Sequence, residues 1–461
     1  MSFKYQINIV DPNGTGASIS SVLSSDLAKA LDVWSGYIDG QGTVVVNLDF
    51  QQTSTGRLSG GPSTVAAIGT ANGNVVVEPG SEYVMATGQQ PAGASSDINI
   101  TVDTGSGYVN SLDLSANLTA QSLGATGKYN PIILFMHELC HGLAMSGYYS
   151  QTGALTTGYE SNFDALLQLT STKAASFTGT NAVAVYGGDV PITSASTAGE
   201  NYYHFGNTMS DYWLTPATDT DPLTRDLMNG IVFEYNYGYT VSSLDLAVLR
   251  DLGYDIPNIS LAGGSGNDLL HVGTGHYTVD GGAGIDTVVI PGNAAGYSIA
   301  ATAAGFTVTD KATPADSFDL ANVERLQFSD TKIALDTSAT GHAGETAEMI
   351  GAAFGAPALA NQSFVGIGLQ LFDAGQSMLQ VAQLCVGALG NPDNATFVKE
   401  VWQNVVGSPI DVADLAAFTG MLTGSGGTMS QAELLVLAAT AQANQTHIGL
   451  VGLATTGIQY S

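Results

Sequence analysis

The segment PIILFMHELCHGLA, residues 131–144, sets His137 and His141 four positions apart, with Glu138 between them, in an otherwise apolar run. Proline opens it, in the first-turn position that a helix accepts without losing a bond. The pattern predicts a buried helix over Pro131–Ala144. On a helix, positions i and i+4 lie about 40° apart in rotation and one turn apart in rise. Both imidazoles then reach one metal ion, and Glu138 projects to the side, where it can hold a water at that metal. The i+3 offset of Cys140 turns its thiol into the core instead of toward a metal.

HExxH on a helix is a zinc pattern. Hydrolytic zinc takes a third protein ligand and keeps one position open. Of the 7 histidines, His271, His276, His342 and His447 lie beyond a change in composition after Pro257. His204, in the aromatic setting NYYHFG, is the remaining candidate, with Glu160 in GYESNF as the alternative.

With these residues in place, the region 1–257 resembles the metzincin metallopeptidases, in particular the leishmanolysin-like and serralysin-like arrangements. Their compact form reads HExxHxxGxxH. Here Ala144 replaces the glycine and Gly147 stands where the third histidine would be, so the resemblance implies a third ligand after a long insertion, which fits His204. DLMN, residues 226–229, resembles the Met-turn and gives that role to Met228, with Met209 as the competitor. Tyr235 is the candidate oxyanion stabiliser, and SSLDLAVLRDLGYDI resembles the closing helix. The resemblance implies an α+β zincin-type domain that hydrolyses peptide bonds in a protein or peptide substrate. Glu138 would act as general base and then return the proton to the leaving amine.

Outward from the motif, Tyr5–Val10, Thr43–Phe50 and Asp97–Val102 read as strands, Ile19–Ile38 as an amphipathic helix and Ser243–Leu252 as a closing helix. Residues 145–240 read as irregular, with 145–203 forming part of a substrate-pocket wall. GGSGNDLLH, from Gly263, and GGAGIDTVV, from Gly281, bracket a degraded copy at nine-residue steps. This resembles the RTX parallel β-roll, which implies calcium held by Asp268 and Asp286 on successive coils. Residues 258–336 make up that region with its following strands, Thr337–Gly344 reads as a linker, and 345–461 reads as a helical domain. EMIGAAFGAP, from Glu348, recurs as EVWQNVVGSP, from Glu400, so two similar helical units should pack together.

The whole chain has 461 residues, long enough for two to four domains. It carries 40 acidic and 11 basic side chains, a formal net charge of −29, which argues against nucleic acid and polybasic membrane binding. No apolar run of about 18 residues predicts a spanning helix. Cys140 and Cys385 are expected as free thiols. MSFKYQINIV does not read as a cleaved secretory signal. Proteins with RTX repeats leave by type I secretion machinery, so the resemblance implies an extracellular or cell-surface protein. A non-enzymatic reading is a calcium-dependent adhesin or matrix module on an idle zincin scaffold; Glu138, which a scaffold does not need, argues against it.

Overall fold

The computed structural model describes residues 2–53, 56–105, 107–115, 128–150, 152–155, 158–170, 174–193, 202–206, 223, 226–229 and 239–461. It is a mixed structure of helices and several sheets with a helical C-terminal region. The chain divides into two compact units, Met1–Ile259 and Ser260–Ser461.

The first unit is built on β1 (Lys4–Val10), α1 (Ser20–Tyr37), β2 (Thr43–Gln51), β3 (Leu58–Pro62), β4 (Val65–Ala71), β5 (Asn74–Pro79), α2 (Gly80–Thr87), β6 (Ile98–Asp103) and α3 (Pro131–Leu143). The main sheet has the order β1-β2-β6-β3. β1, β2 and β6 are parallel, and β3 closes one edge antiparallel to β6. Alternate residues of β2 (Val44, Val46, Leu48, Phe50) and of β6 (Ile98, Ile100, Val102) are buried. This follows the period of two expected when helices cover a sheet face. Burying each such side chain is worth about 1.5–3 kcal/mol.

Helix α3 lies against β3 and β6. A Cβ on Gly142 would stand 2.4 Å from Ile98 Cγ2, so this glycine lets the helix settle close to the sheet. Asn130 caps its start by accepting from the Ile132 amide, and the Trp34 indole of α1 donates to Met136 O at 3.0 Å. At its far end the Ser81 hydroxyl donates to Gly142 O, and that of Tyr254 donates to Leu143 O. The helix is therefore held along its length.

The stretch that reads as irregular contains regular structure among its described residues: β7 (Tyr159–Ser161), β8 (Leu167–Leu169), β9 (Ala175–Phe177), α4 (Thr180–Tyr186) and β10 (Val190–Ile192). Each is too short for periodicity to mark it. β7 joins the β4–β5 hairpin in parallel with β5, while β8, β9 and β10 form a small antiparallel sheet. Helix α5 (Ser243–Asp251) begins with a capping box between Ser242 and Asp245, and its Asp251 carboxylate accepts from the Asn181 and Ala182 amides at the start of α4.

In the second unit, β11 (Ile259–Ala262), β12 (Leu269–His271), β13 (His276–Asp280) and β14 (Thr287–Val289) alternate between two sheets. An antiparallel hairpin, β15 (Tyr297–Ala301) and β16 (Phe306–Asp310), follows, and then β17 (Ser317–Ala321), β18 (Arg325–Gln327) and β19 (Lys332–Ala334). β12, β14 and β18 pair in parallel, as do β13 and β17, so the chain winds as a short coil.

Helices α6 (His342–Phe354), α7 (Gln362–Asp373), α8 (Met378–Ala388), α9 (Asn394–Val406), α10 (Val412–Met421), α11 (Gln431–Ala439), α12 (Gln442–His447) and α13 (Leu450–Thr456) follow, with a final strand β20 (Ile458–Tyr460). The repeated helices meet as pairs: α6 packs on α9 and α8 on α11 around Phe372, Phe397, Val401 and Leu435. The stretch expected as a linker is packed at both ends, with residues 338–340 exposed between them. Thr337 is buried, α6 already starts at His342, and β20 returns to pair with β19. The buried Arg325 guanidinium bonds Asp336 at 2.5 Å and Asp373 at 2.8 Å, tying the strands to α7 within one unit.

Candidate functional site

His137, Glu138 and His141 all come from α3. His204 comes from a segment that bridges β10 on one side and the 226–229 turn on the other: Thr193 N donates to His204 O, and Phe205 N donates to Met228 O at 2.8 Å. These backbone bonds bring His204 to α3. Its Nε2 lies 3.2 Å from that of His137 and 3.0 Å from that of His141, and the two α3 nitrogens are 3.2 Å apart. A tetrahedral zinc with nitrogen ligands at ~2.0–2.1 Å spaces them roughly 3.3 Å apart, close to what is found.

The tautomers follow from the neighbours. His137 Nδ1 is 2.7 Å from Leu227 O, and His141 Nδ1 is 2.7 Å from Met145 O. A carbonyl can only accept, so both rings carry their proton on Nδ1 and turn the Nε2 lone pair toward the shared centre. Burial also lowers the pKa of His137 to about 4. His141 falls to about 3, through burial and the neighbouring His137, and His204 falls well below its usual value, again first through burial. All three rings are neutral at pH 7. The lone pairs of His137 and His141, 3.2 Å apart, repel one another unless a cation or a proton sits between them. The donor set therefore fits zinc, with carbonyl partners of the kind that orient histidine ligands.

Glu138 is half-buried beside the cluster and is not one of the three converging groups. Its Oε2 accepts from Gly60 N of the edge strand β3 at 2.6 Å. The approach demands glycine, because a Cβ at position 60 would stand 2.3 Å from Glu138 O. Burial raises the Glu138 pKa to about 8, opposed by the Gly60 amide and by the charge of Arg57; a cation held by the histidines would oppose it further, toward the carboxylate that a base requires.

Met228 is fully buried in a turn fixed by Asp226, whose Oδ1 accepts from Met228 N and whose Oδ2 accepts from the Ser242 hydroxyl. The same turn supplies the Leu227 carbonyl that orients His137. Glu160 lies elsewhere, buried on β7 opposite Val76 of β5, and does not join the histidine group. Cys140 is a free, fully buried thiol, and Cys385 is also free. Met209 and Tyr235 lie outside the described residues.

The second candidate site is in the other unit. Parallel pairing stacks Asp268 and Asp286 on successive turns, and Asp268 N donates to Asp286 Oδ1 at 2.8 Å. Glu324, which the sequence reading missed, continues the column: its Oε2 accepts from Asp286 N at 2.9 Å. The pairing of Thr287 with Arg325 places it there, but no glycine-rich nonad precedes it to give a signal. Asp286 is fully buried and its Oδ2 has no partner among the described residues. A Cβ on Gly281 would stand 2.8 Å from that oxygen, and one on Gly282 would stand 2.3 Å from Gly264 O. Asp286 thus offers one unpartnered buried carboxylate oxygen, the hard donor type that calcium takes, although the three carboxylates do not form a converging group among the described residues.

Set against family models, curated proteins and solved structures, the chain matches none of them.

Proposed function

We propose that the protein is a zinc-dependent endopeptidase of metzincin-like type. The observation that carries the reading is the convergence of three imidazole nitrogens, two with their lone pairs fixed by backbone carbonyls, beside a carboxylate outside the ligand set. When bound by His137, His141 and His204, zinc supplies Lewis acidity toward a peptide carbonyl and an attacking water. Glu138 would take a proton from a water entering the site and pass it to the leaving amine, the two proton transfers peptide hydrolysis requires. The Gly60 amide holds one carboxylate oxygen, which fixes the orientation of the base and leaves its other oxygen to carry the proton. Met228, in the turn that positions His137, takes the Met-turn role. Proteolysis of casein by the purified protein should be abolished by chelation and restored by added zinc; cleavage that survives chelation removes the reading.

We also propose that the coiled strands are an RTX-type roll holding calcium through Asp268 and Asp286, in an exported protein at the cell surface or beyond it. Carboxylate sites of this kind remain unfilled where calcium is scarce, so folding of the second unit follows export. Calcium should raise the melting temperature of the wild type, because a ligand that binds only the folded state stabilises it by mass action. Asp286→Asn should lose that calcium-dependent increment, read by thermal denaturation with and without calcium. An equal increment in the variant removes Asp286 from the site.

A further inference from the structure

A pocket of about 240 Å³ opens in the first unit where the end of β3 meets the β4–β5 hairpin and the segment after α3. Its walls include Pro62, Val65, Val77, Pro79 and Tyr148, and among the described residues its one charged lining residue is Glu78. A cavity of about 150 Å³ already accommodates a benzene ring, so this one has room for a long side chain.

We propose that this pocket is a specificity subsite that takes a lysine or arginine side chain of the substrate, with Glu78 receiving the cationic head and the apolar walls covering the stem. The inference rests on the peptidase reading and adds a substrate class to it. Pro62 stands two residues beyond Gly60 on β3, and Gly60 holds Glu138. Two residues of extended strand cover ~7 Å, so a substrate lying along this edge strand presents to the pocket a side chain one to three residues from the bond that is cut.

The chemistry selects the occupant. Glu78 and Glu82 hydrogen-bond to each other, and Glu82 also accepts from the Asn162 side chain at 2.7 Å. Burial, with the neighbouring Glu78 charge, pushes Glu82 up to about 9, and burial raises Glu78 as well. Glu78 is half-buried, and among the described residues no cationic side chain lines the pocket beside it, so a positive head entering there favours its ionised form. An aliphatic side chain would cover the Glu78 carboxylate without pairing it, which is unfavourable. A calcium ion needs six to eight oxygen ligands, and a single lining carboxylate is too few. A flexible stem with a positive head satisfies both the apolar walls and the carboxylate.

The test uses acetylated peptides that differ only in carrying lysine, norleucine or glutamate, scanned over three positions on each side of the scissile bond in 0.15 M salt. At one position lysine should exceed norleucine in kcat/KM by about tenfold, as one charge-assisted contact allows, and Glu78→Gln should collapse that ratio. Ratios near one at every position in the wild type overturn the proposal without recourse to any variant. If no peptide is cleaved, the peptidase reading fails by itself. The pocket is then decided by saturation-transfer NMR with N-acetyl-lysine methylamide. Contact with wild type but not with Glu78→Gln sustains the subsite, and equal contact by the norleucine analogue overturns it.

Discussion

Glu138→Ala is expected to lower the rate of casein cleavage by about 10²–10⁴, the usual contribution of a positioned general base, while the bound metal stays at wild-type stoichiometry. The split between rate and metal content is the informative part. Glu138 shares α3 with two of the three histidines but lies outside the converging nitrogens, and its Oε2 is engaged by Gly60 N at 2.6 Å. Truncation leaves His137 and His141 with their own carbonyl partners, Leu227 and Met145, so the ligands keep their orientation. Glu138→Gln is the companion variant. It preserves an oxygen for the Gly60 amide and removes only the capacity to take a proton, so it should lose nearly as much activity as the alanine variant. Initial rates on casein, with metal content measured on the same preparations, provide the check. Unchanged proteolysis in either variant sinks the general-base role.

The α3 motif was legible in the sequence because its chemistry sits in side chains at a fixed helical spacing, and a helix fixes their geometry before any tertiary contact forms. His204 was reachable only by elimination among few histidines. What brings it to the site is backbone pairing of Phe205 with Ile192 and Asn229, and such pairing leaves no side-chain signature. The Leu227 and Met145 carbonyls, which set both tautomers, were invisible for the same reason: every residue has a carbonyl. Gly60 carried no signal either, since its role is to lack a Cβ where Glu138 passes. In the second unit the glycine-rich nonads gave the positions of Asp268 and Asp286. The packing of Thr337 and the return of β20 to β19 were not foreseen, because eight small and polar residues read as a connector whether or not they are buried.

His204→Ala should release the metal, with affinity at least about a hundredfold below wild type. Changes to outer-shell partners of metal ligands already cost 10–100-fold, and here a direct ligand is removed from a set of three. The alanine leaves the Nε2 lone pairs of His137 and His141 facing each other at 3.2 Å with nothing to complete the coordination. Within the group, His204 is the most informative position. It is buried, and its Nδ1 has no hydrogen-bond partner among the described residues, so the ring takes no fixed part in the backbone bonds that hold its segment. Those bonds, Thr193 N to His204 O and Phe205 N to Met228 O, involve main-chain atoms that survive the substitution. Metal loss therefore need not accompany unfolding, and circular dichroism beside the metal assay separates the two. Full metal occupancy in a folded variant would break the three-histidine centre and transfer the third position to another group. Glu160 would then be the residue to test, although it sits buried on β7, outside the histidine group.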